Sequence, residues 1–361
     1  MNQEYKRKSA LRNLLEDKIS VTAMIVLAVL YIMITFASFF APYSKDFSDR
    51  HLSYAPPSTI YTIDQHGKFS WPYAYNYKRS FDPETFSMSY SPDRAQKYYL
   101  KFFSKGFDYK ILGIIPTNIH FVTVARQGRL FLVGTDINGR DNFSRLLYGG
   151  QISLTIGFLA LFISFPIGII YGGISGYFGG VVDNVMMRIA EAMMSIPSFY
   201  LLISLAAILP PGMTSGQRFA IITVILSFIG WAGFSRVIRG MVLSLKTQEY
   251  VESAVAIGAS SLRIILKHLL PQTSTYIIVA LTLSVPGYIL AESGLSFLGL
   301  GIQQPDASWG NMLKEAQEYT NILYRPWLLT PGFLIFIAVL AFNMVGDTVR
   351  DILDPKSRGR S

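Results

Sequence analysis

The amino-acid sequence predicts an all-α polytopic membrane protein with six transmembrane helices. Of its 361 residues, 51% are hydrophobic and only 15% are charged, a balance that is too apolar for an ordinary soluble protein. The charged residues are segregated between uncharged runs, several of which approach or exceed the ~20 apolar residues that a bilayer-crossing helix needs. Because the basic residues cluster beside these runs, membrane topology explains the net charge of +9 better than nucleic-acid binding does.

Six uncharged runs define the predicted spans. The first, residues 19–44, follows a basic N-terminal segment and lacks a convincing signal-peptide cleavage site, so we expect it to be a retained transmembrane helix. The run 219–235 is short, but Arg218 and Arg236 at its two ends can reach the membrane interfaces. The other four predicted spans cover residues 146–182, 192–217, 268–291 and 326–346.

An even number of spans places both termini on the same side of the membrane. The N-terminal segment 1–18 and the C-terminal tail 348–361 are both basic, which predicts that this side is the cytoplasm. Residues 45–133 then form an extracytoplasmic insert between the first two spans. The remaining five spans form a core over residues 134–347, in which the loop 236–271 lies in the cytoplasm.

The insert is predicted to be a small α+β unit. Its aromatic segment 93–107 is predicted as an amphipathic helix, and residues 120–124 are predicted to pair with residues 130–133 across a turn at 126–128. Residues 134–150 are expected to begin with a turn and to continue as an interfacial helix that leads into the second span. Two roles for the insert remain open, a packed lid on the first span and a docking site for another extracytoplasmic protein.

The segment 249–271, which reads EYVESAVAIGASSLRIILKHLLP, differs from the other loops. Its middle is small and weakly polar, and basic residues lie around it. Ala and Glu favour a helix while Gly258 permits a bend, so we expect a short helix with a low-profile surface that docks into a groove of a partner. The residues assigned to this docking are Glu249, Glu252, Ser253, Ala254, Ala256, Gly258, Ala259, Ser260 and Pro271.

The sequence contains no recognisable catalytic, nucleotide-binding or metal-binding constellation. It has no cysteine, its four histidines are scattered, and it lacks both a GxSxG elbow and a GxxxxGK[ST] phosphate loop. Asp136, Asn138, Asp141 and Asn142 resemble part of a calcium loop, but the glycine is misplaced and no late Glu follows in register. The glycines near the end of the second span are expected to permit close helix packing and are Gly172, Gly173, Gly176, Gly179 and Gly180.

Two acidic residues lie next to or inside apolar runs and are therefore candidates for the transport pathway. Glu191 follows Arg188 at a spacing that also permits an ion pair on one helix. Glu292 lies roughly 30 Å along a helix from Pro271, at about 1.5 Å per residue, which places it near the opposite membrane face. An interfacial anchor and a pathway-lining carboxylate both remain open for these residues.

The docking segment resembles a motif of a known family. The order Glu252-Ser253-Ala254, then Gly258, then Leu270-Pro271 is similar to the EAA loop of permease subunits of ATP-binding-cassette (ABC) importers. Ser253 replaces the first alanine of that motif, and His268 stands where a generic version has isoleucine.

The resemblance extends over the first span and nearly all of the chain from Gly134 onward, and it points to the C-type permease of oligopeptide, dipeptide and nickel importers. The stretches that carry it are GTDINGRDNFSRLLYGGQISL, GYFGGVVDNVMMR, AESGLSFLGLG, SWGNML and FNMVGDTVRDILDP.

This resemblance implies a transporter subunit that is not itself an enzyme and that binds no cofactor. It implies a homologous second permease, two ATPase subunits that bind ATP and magnesium, an extracytoplasmic substrate-binding protein, and a location in the bacterial or archaeal cytoplasmic membrane. Transport would follow alternating access. Peptides are the expected cargo, with nickel chelates or oligosaccharides as alternatives.

Two other classes of membrane protein fit the sequence less well. An ion-coupled secondary transporter or channel would have ionisable residues at mid-membrane and an inverted repeat, neither of which the sequence clearly contains. A membrane-embedded hydrolase would need catalytic residues that the sequence does not contain.

Overall fold

A computed structural model describes residues 17–64, 67–83, 87–210 and 212–353 of the chain. The predicted cytoplasmic segment 1–18 and tail 348–361 lie largely outside the described residues. The chain divides into two compact units, and each is described by itself. The first unit comprises residues up to 27, residues 154–295 and residues from 336 onward, whereas the second comprises residues 28–153 and 296–335.

Among the described residues, five helices are long and apolar enough to cross a membrane, and a bent pair of helices provides a sixth candidate span. The six predicted spans agree with this range of five to six candidate spans. In chain order the helices are α1 (Lys18–Thr35), α2 (Ala37–Phe40), α3 (Asn142–Phe178), α4 (Gly180–Ser195), α5 (Ser198–Ala207), α6 (Ser215–Leu245), α7 (Glu249–Ala256), α8 (Ser261–Ile264), α9 (Ser274–Phe297), α10 (Trp309–Leu313), α11 (Tyr319–Tyr324) and α12 (Thr330–Leu353).

The bent pair covers residues 180–207 and takes the place of the single span that was predicted for residues 192–217. Helices α4 and α5 meet at an angle of 78°. Pro197 lies at the break, and Ile196 before it is extended, with φ −86° and ψ 124°. A residue that precedes proline is driven out of the helical conformation, which explains the break.

The short span predicted at 219–235 is instead part of the 31-residue helix α6. Its N-terminus is closed by a capping box, in which the Gln217 N–H donates to the Thr214 hydroxyl at 3.3 Å. Arg218 and Arg236 thus lie inside the helix, and not at its two ends.

Helix α3 packs against helix α6 along a row of glycines spaced four residues apart. A Cβ atom on Gly172 would lie 2.3 Å from the Ser235 carbonyl oxygen, and one on Gly176 would lie 2.8 Å from the Arg239 carbonyl oxygen. Only glycine permits two helix backbones to approach this closely. The packing role expected for these two glycines is confirmed.

The described part of the insert consists of β-strands and one 3-10 turn at Arg50–Leu52, so the predicted α+β composition is wrong there. The strands form a three-stranded sheet in the order β1-β2-β5 and two hairpins, β3-β4 and β6-β7, all antiparallel. They are β1 (Tyr61–Ile63), β2 (Phe69–Ala74), β3 (Tyr77–Asp82), β4 (Ser87–Pro92), β5 (Tyr98–Tyr99), β6 (Lys101–Ile111) and β7 (Ile115–Thr123).

Two local predictions in the insert are corrected by this pairing. The helix predicted for residues 93–107 is replaced by β5 and most of β6, because Phe102 pairs with Val122 across the hairpin. Residues 120–124 were predicted to pair with 130–133, but β7 pairs with β6. Aromatic residues favour strands when a cross-strand partner is present, and that partner is distant in sequence.

The interfacial helix predicted for residues 134–150 is not a separate element. Helix α3 starts at Asn142 and continues without a break to Phe178. The residues just before it form a tight turn, in which the Asp136 carboxylate accepts backbone N–H groups of Asn138 at 2.8 Å and Arg140 at 2.9 Å.

Candidate functional site

The docking segment predicted from the sequence begins with helix α7, which follows α6 almost directly. Helix α7 ends at Ala256, and Gly258 two residues later has a φ of +80°. The Gly258 N–H donates to the Val255 carbonyl at 2.9 Å, and the Ala259 N–H donates to the Ala254 carbonyl at 3.0 Å. This is the hydrogen-bond pattern of a Schellman motif, in which a left-handed residue ends the helix. Gly258 therefore has a backbone role.

Helix α7 presents one face to its own chain and the other to the exterior. Val251 and Ala254 are buried, so Ala254 alone among the residues assigned to docking lies fully inside the fold. A Cβ atom on Gly258 would find no atom of the chain within 4 Å. The remaining assigned residues are exposed or partly exposed and are Glu249, Glu252, Ser253, Ala256, Gly258, Ala259, Ser260 and Pro271.

The most exposed apolar side chains of this segment were not selected from the sequence. Ile257 is 85% exposed and Leu262 is 67% exposed, on the two sides of Gly258, and Val255 is also exposed. Large apolar side chains in such an arrangement are typical of a surface that another protein covers. Their types were visible in the sequence, but the expectation of a low-profile surface directed attention to the small residues.

Pro271 lies inside a helical stretch instead of closing a loop. Helix α8 continues into a π-helical turn over Ile265–Leu269 and a 3-10 turn over Leu270–Thr273 before α9 begins. Proline lacks an N–H group, so a regular helical ladder cannot pass through it unchanged. The docking segment is thus joined to α9 by continuous helical backbone.

A partly buried ion pair joins two helices of the same unit, and a hydroxyl group of a third helix hydrogen-bonds to it. The Asp183 carboxylate of α4 accepts hydrogen bonds from two guanidinium nitrogens of Arg239 in α6, with a distance of 2.9 Å for Nε, and from the Ser175 hydroxyl of α3 at 2.6 Å. Arg239 lies in the last part of α6, shortly before the docking segment. Asp183 was not singled out from the sequence, although an acidic residue in a largely apolar run is a usable signal.

The two pathway candidates lie in different environments. Glu191 is half-exposed, and its Oε2 lies 3.2 Å from Arg188 Nη1, as the spacing predicted. Glu292 in α9 is fully buried, and the Ser293 hydroxyl donates to its Oε2 at 3.4 Å. Neither residue is among the described residues that line a cavity of about 560 Å³ in the same unit, although Ala291 next to Glu292 is.

This cavity has a volume of about 560 Å³ and lies between α3, α5, α6 and α9. Among the described residues that line it, none is charged, and hydroxyl groups and glycine backbone provide its polarity. It can therefore admit a solute without binding it strongly through one fixed charge. The lining residues are Phe165, Ser198, Leu202, Leu226, Ile229, Gly230, Gly233, Phe234, Tyr276, Ala280, Leu283, Ser284, Gly287, Tyr288 and Ala291.

The second unit contains a buried cluster of charges around the turn before α3. Asp136 Oδ2 lies 2.6 Å from Arg140 Nε and 3.5 Å from Arg145 Nε. Burial raises the pKa of Asp141 and of Glu315 to about 7. Arginine side chains and backbone N–H groups thus surround the carboxylate that resembled a calcium ligand, and they hold the turn in place.

Models of two known protein families match segments of the chain that contain its membrane-spanning helices. A family model described as binding-protein-dependent transport system inner membrane component matches residues 164–359. A second model, the N-terminal TM domain of oligopeptide transport permease C, matches residues 7–57.

Several curated proteins are similar to the chain. The dipeptide transport system permease protein DppC of Bacillus subtilis is 47% identical over 62% of this chain and 68% of its own length. The oligopeptide transport system permease protein OppC of Haemophilus influenzae is 40% identical over 72% of this chain and 79% of its own. The glutathione transport system permease protein GsiD of Escherichia coli O157:H7 is 40% identical over 63% of this chain and 72% of its own.

Proposed function

The chain belongs to the family of binding-protein-dependent transport system inner membrane components, and we propose that it forms half of the path by which an ATP-driven importer carries peptides across the membrane. The similar proteins are named as permeases for dipeptides, oligopeptides and glutathione, which supports a peptide cargo over a nickel chelate or an oligosaccharide. Family membership also favours coupling to ATP over coupling to an ion gradient. Catalysis of ATP hydrolysis then belongs to other subunits.

The proposed assembly contains a homologous second permease, two ATPase subunits that bind ATP and magnesium, and an extracytoplasmic binding protein. In this assembly both termini and the docking segment face the cytoplasm, whereas residues 45–133 lie outside. The basic termini support this orientation, and so does the number of spans, which is even when the bent pair is taken as the sixth span. The expected membrane is the cytoplasmic membrane of a bacterium or an archaeon.

The observation that carries the proposal is the exposed apolar surface on the docking segment. Ile257 and Leu262 project beside the end of α7, where an ATPase subunit would cover them. Helix α7 is joined directly to α6 on one side and through α8 to α9 on the other. Because α6 and α9 both line the cavity, a displacement of α7 would move two of its walls.

The uncharged cavity suits a pathway for peptides of varied sequence. A path that bound one charge tightly would release few peptides, whereas hydroxyl and backbone groups interact weakly with many of them. Selection of the cargo would then reside largely in the binding protein. We keep Glu292 as a candidate for a gate next to the cavity, and Glu191 as the partner of Arg188 at the surface.

The cavity can be tested with one glycine substitution. Gly287 lines the cavity, and a Cβ atom there would meet no atom within 4 Å, so Gly287→Leu would fill space without disturbing helix packing. In proteoliposomes that contain the complete importer, we expect this variant to lose most uptake of a labelled peptide. ATP hydrolysis stimulated by the binding protein should remain.

The matched control is Gly216→Leu in the first turn of α6, where a Cβ atom also meets no atom within 4 Å. This residue is outside the described lining of the cavity, so uptake should stay near that of the natural protein. Normal peptide uptake by Gly287→Leu would contradict a path through this cavity. Mass spectrometry of the purified complex would identify the partner subunits in the same preparation.

A further inference from the structure

The β6-β7 hairpin ends in an apolar tip whose outermost side chains are exposed within the part of the chain that the structure describes. The tip comprises residues 111–116, which read Ile-Leu-Gly-Ile-Ile-Pro and carry no charge. Leu112 is 63% exposed and Ile114 is 78% exposed, and Ile115 is exposed as well. In water, such a cluster of large apolar side chains is unfavourable.

The backbone of the tip is also unusual for its sequence. Leu112 and Gly113 have φ values of +50° and +74°, and the Ile114 N–H donates to the Ile111 carbonyl at 3.0 Å. The three residues 112–114 join the two strands, and a left-handed conformation at the first of them strongly favours Asn, Asp or Gly over leucine. A leucine here is disfavoured both by its backbone conformation and by its exposure. An outlier of this kind points to a role for the side chain.

The base of the hairpin lies at the end of the first span. Phe103 of β6 packs on Phe39 of α2, with ring centroids 6.2 Å apart, and Phe121 of β7 packs on Phe40 at 5.7 Å. Helix α2 follows α1 after one residue, and the final turns of α1 expose the apolar residue Ile32.

The hairpin exposes apolar side chains from its base to its tip. Phe103 near the base is 66% exposed and Ile119 in β7 is 46% exposed, and the exposed residues of the tip follow. A hairpin that stood away from the membrane would expose this whole series to water, whereas a hairpin that lies along the membrane surface brings the series to the lipid boundary. The exposed apolar side chains therefore favour a hairpin that lies along the membrane surface.

The charged side chains of the hairpin agree with this position. Lys101, Lys105 and Lys110 are exposed on β6 before the tip, with Asp108 as the acidic residue among them. Lysines beside exposed aromatic rings are typical of a protein surface at the headgroup level of a bilayer.

We propose that the tip inserts into the lipid bilayer on the side of the membrane where α1 ends, with the lysines of β6 among the headgroups. Leu112, Ile114 and Ile115 would enter the boundary between headgroups and acyl chains, which removes their exposure to water. The surface is continuous with the lipid-facing side of α1 through the rings of Phe39 and Phe40. The proposal requires that α1 crosses the membrane and does not depend on which side the tip occupies.

The natural chain has no cysteine, so a single cysteine can report on the tip. The variant Ile114→Cys is labelled with an environment-sensitive fluorophore in the complete importer, reconstituted in vesicles of phosphatidylcholine and phosphatidylglycerol. The matched control is Phe69→Cys, because Phe69 is an apolar residue of β2 that is 83% exposed. The complex without an introduced cysteine is treated in the same way, and its fluorescence shows how much label attaches to the partner subunits.

Lipids that carry a nitroxide near the headgroup should quench more than half of the emission at position 114, whereas aqueous iodide should have little effect there. The label at position 69 should respond in the opposite way. Strong quenching by iodide without quenching by the nitroxide lipid would overturn the proposal. Protection of position 114 from both quenchers would overturn it as well, because it would assign the tip to a protein partner.

Discussion

The docking segment and the hairpin tip both place exposed apolar side chains next to a residue with positive φ, but they differ in that residue. In the docking segment the left-handed position is taken by Gly258, which adopts it without strain, and Ile257 beside it is exposed. In the tip, Leu112 itself is left-handed and exposed. Exposure of a similar degree can thus arise on a relaxed backbone or on a strained one.

The surroundings of the two surfaces differ in the same way. The docking segment mixes exposed acidic residues such as Glu252 with exposed basic residues such as Arg263, a pattern that suits a protein partner with complementary charges. The tip is uncharged and follows lysines, a pattern that suits lipid. The neighbours of an exposed apolar side chain, more than its exposed area, thus indicate what covers it.

The largest expected effect comes from placing a charge on the docking surface. Ile257→Asp should lower co-purification of the ATPase subunits and peptide uptake by at least about tenfold, because loss of a central interface residue typically costs ~2 kcal/mol or more. Ile114→Asp in the tip should leave ATPase co-purification unchanged. Thr247→Asp, at an exposed polar position just before the segment and outside the residues assigned to docking, is the control for the added charge. Equal losses in Ile257→Asp and Ile114→Asp would break the distinction between the two surfaces.

A smaller effect is expected at the end of α7. Gly258→Val should destabilise the segment by about 1 to 2 kcal/mol, because a branched L-residue is strained in the left-handed conformation. Gly258→Asn should be close to neutral, since asparagine tolerates that conformation. The midpoint of thermal unfolding and ATPase co-purification of the purified complex would measure both. If Gly258→Asn loses the ATPase subunits as completely as Gly258→Val, contact with the partner outweighs helix termination at this position.

The smallest effect is expected at Leu112, where the substitution should stabilise the local structure instead of destabilising it. Leu112→Asn should slow hydrogen exchange of the β6-β7 backbone slightly. This corresponds to a gain of up to ~1 kcal/mol in local stability, because asparagine suits the turn better than leucine does. The same substitution should reduce lipid quenching of a label introduced by Ile114→Cys, since one apolar anchor is removed. Faster exchange in detergent, away from the bilayer, would show that leucine stabilises the turn itself.

Much of the membrane-spanning architecture could be predicted from the sequence, whereas the insert could not. The uncharged runs indicate the spans because the bilayer selects each helix by its own hydropathy, a local property. The segment 93–107 was mistaken for a helix because its aromatic pattern is compatible with two periods. Its strand conformation depends on pairing with residues near Val122, which no local window contains.

The candidate site divides in the same manner. Gly258, Glu252 and the neighbouring motif residues could be proposed for docking from the sequence because their order and spacing are distinctive, and their role stays a prediction. The burial of Ala254, the exposure of Ile257 and the contact of Asp183 with Arg239 depend on how separate helices pack. Side chains of the same type have opposite environments on the two faces of α7.

The class of the protein, the number of its spans and the segment that is proposed to receive force from the ATPases could be predicted from the sequence, although the break at Pro197 and the length of α6 could not. The predictable features depend on hydropathy and on short motifs, which are properties of a few consecutive helical turns. The strand pairing of the insert, the lining of the cavity and the contact of the hairpin base with the end of the first span became visible only in the tertiary structure. These features join residues that are far apart in the chain, and their free energy comes from contacts that exist only after the chain has folded.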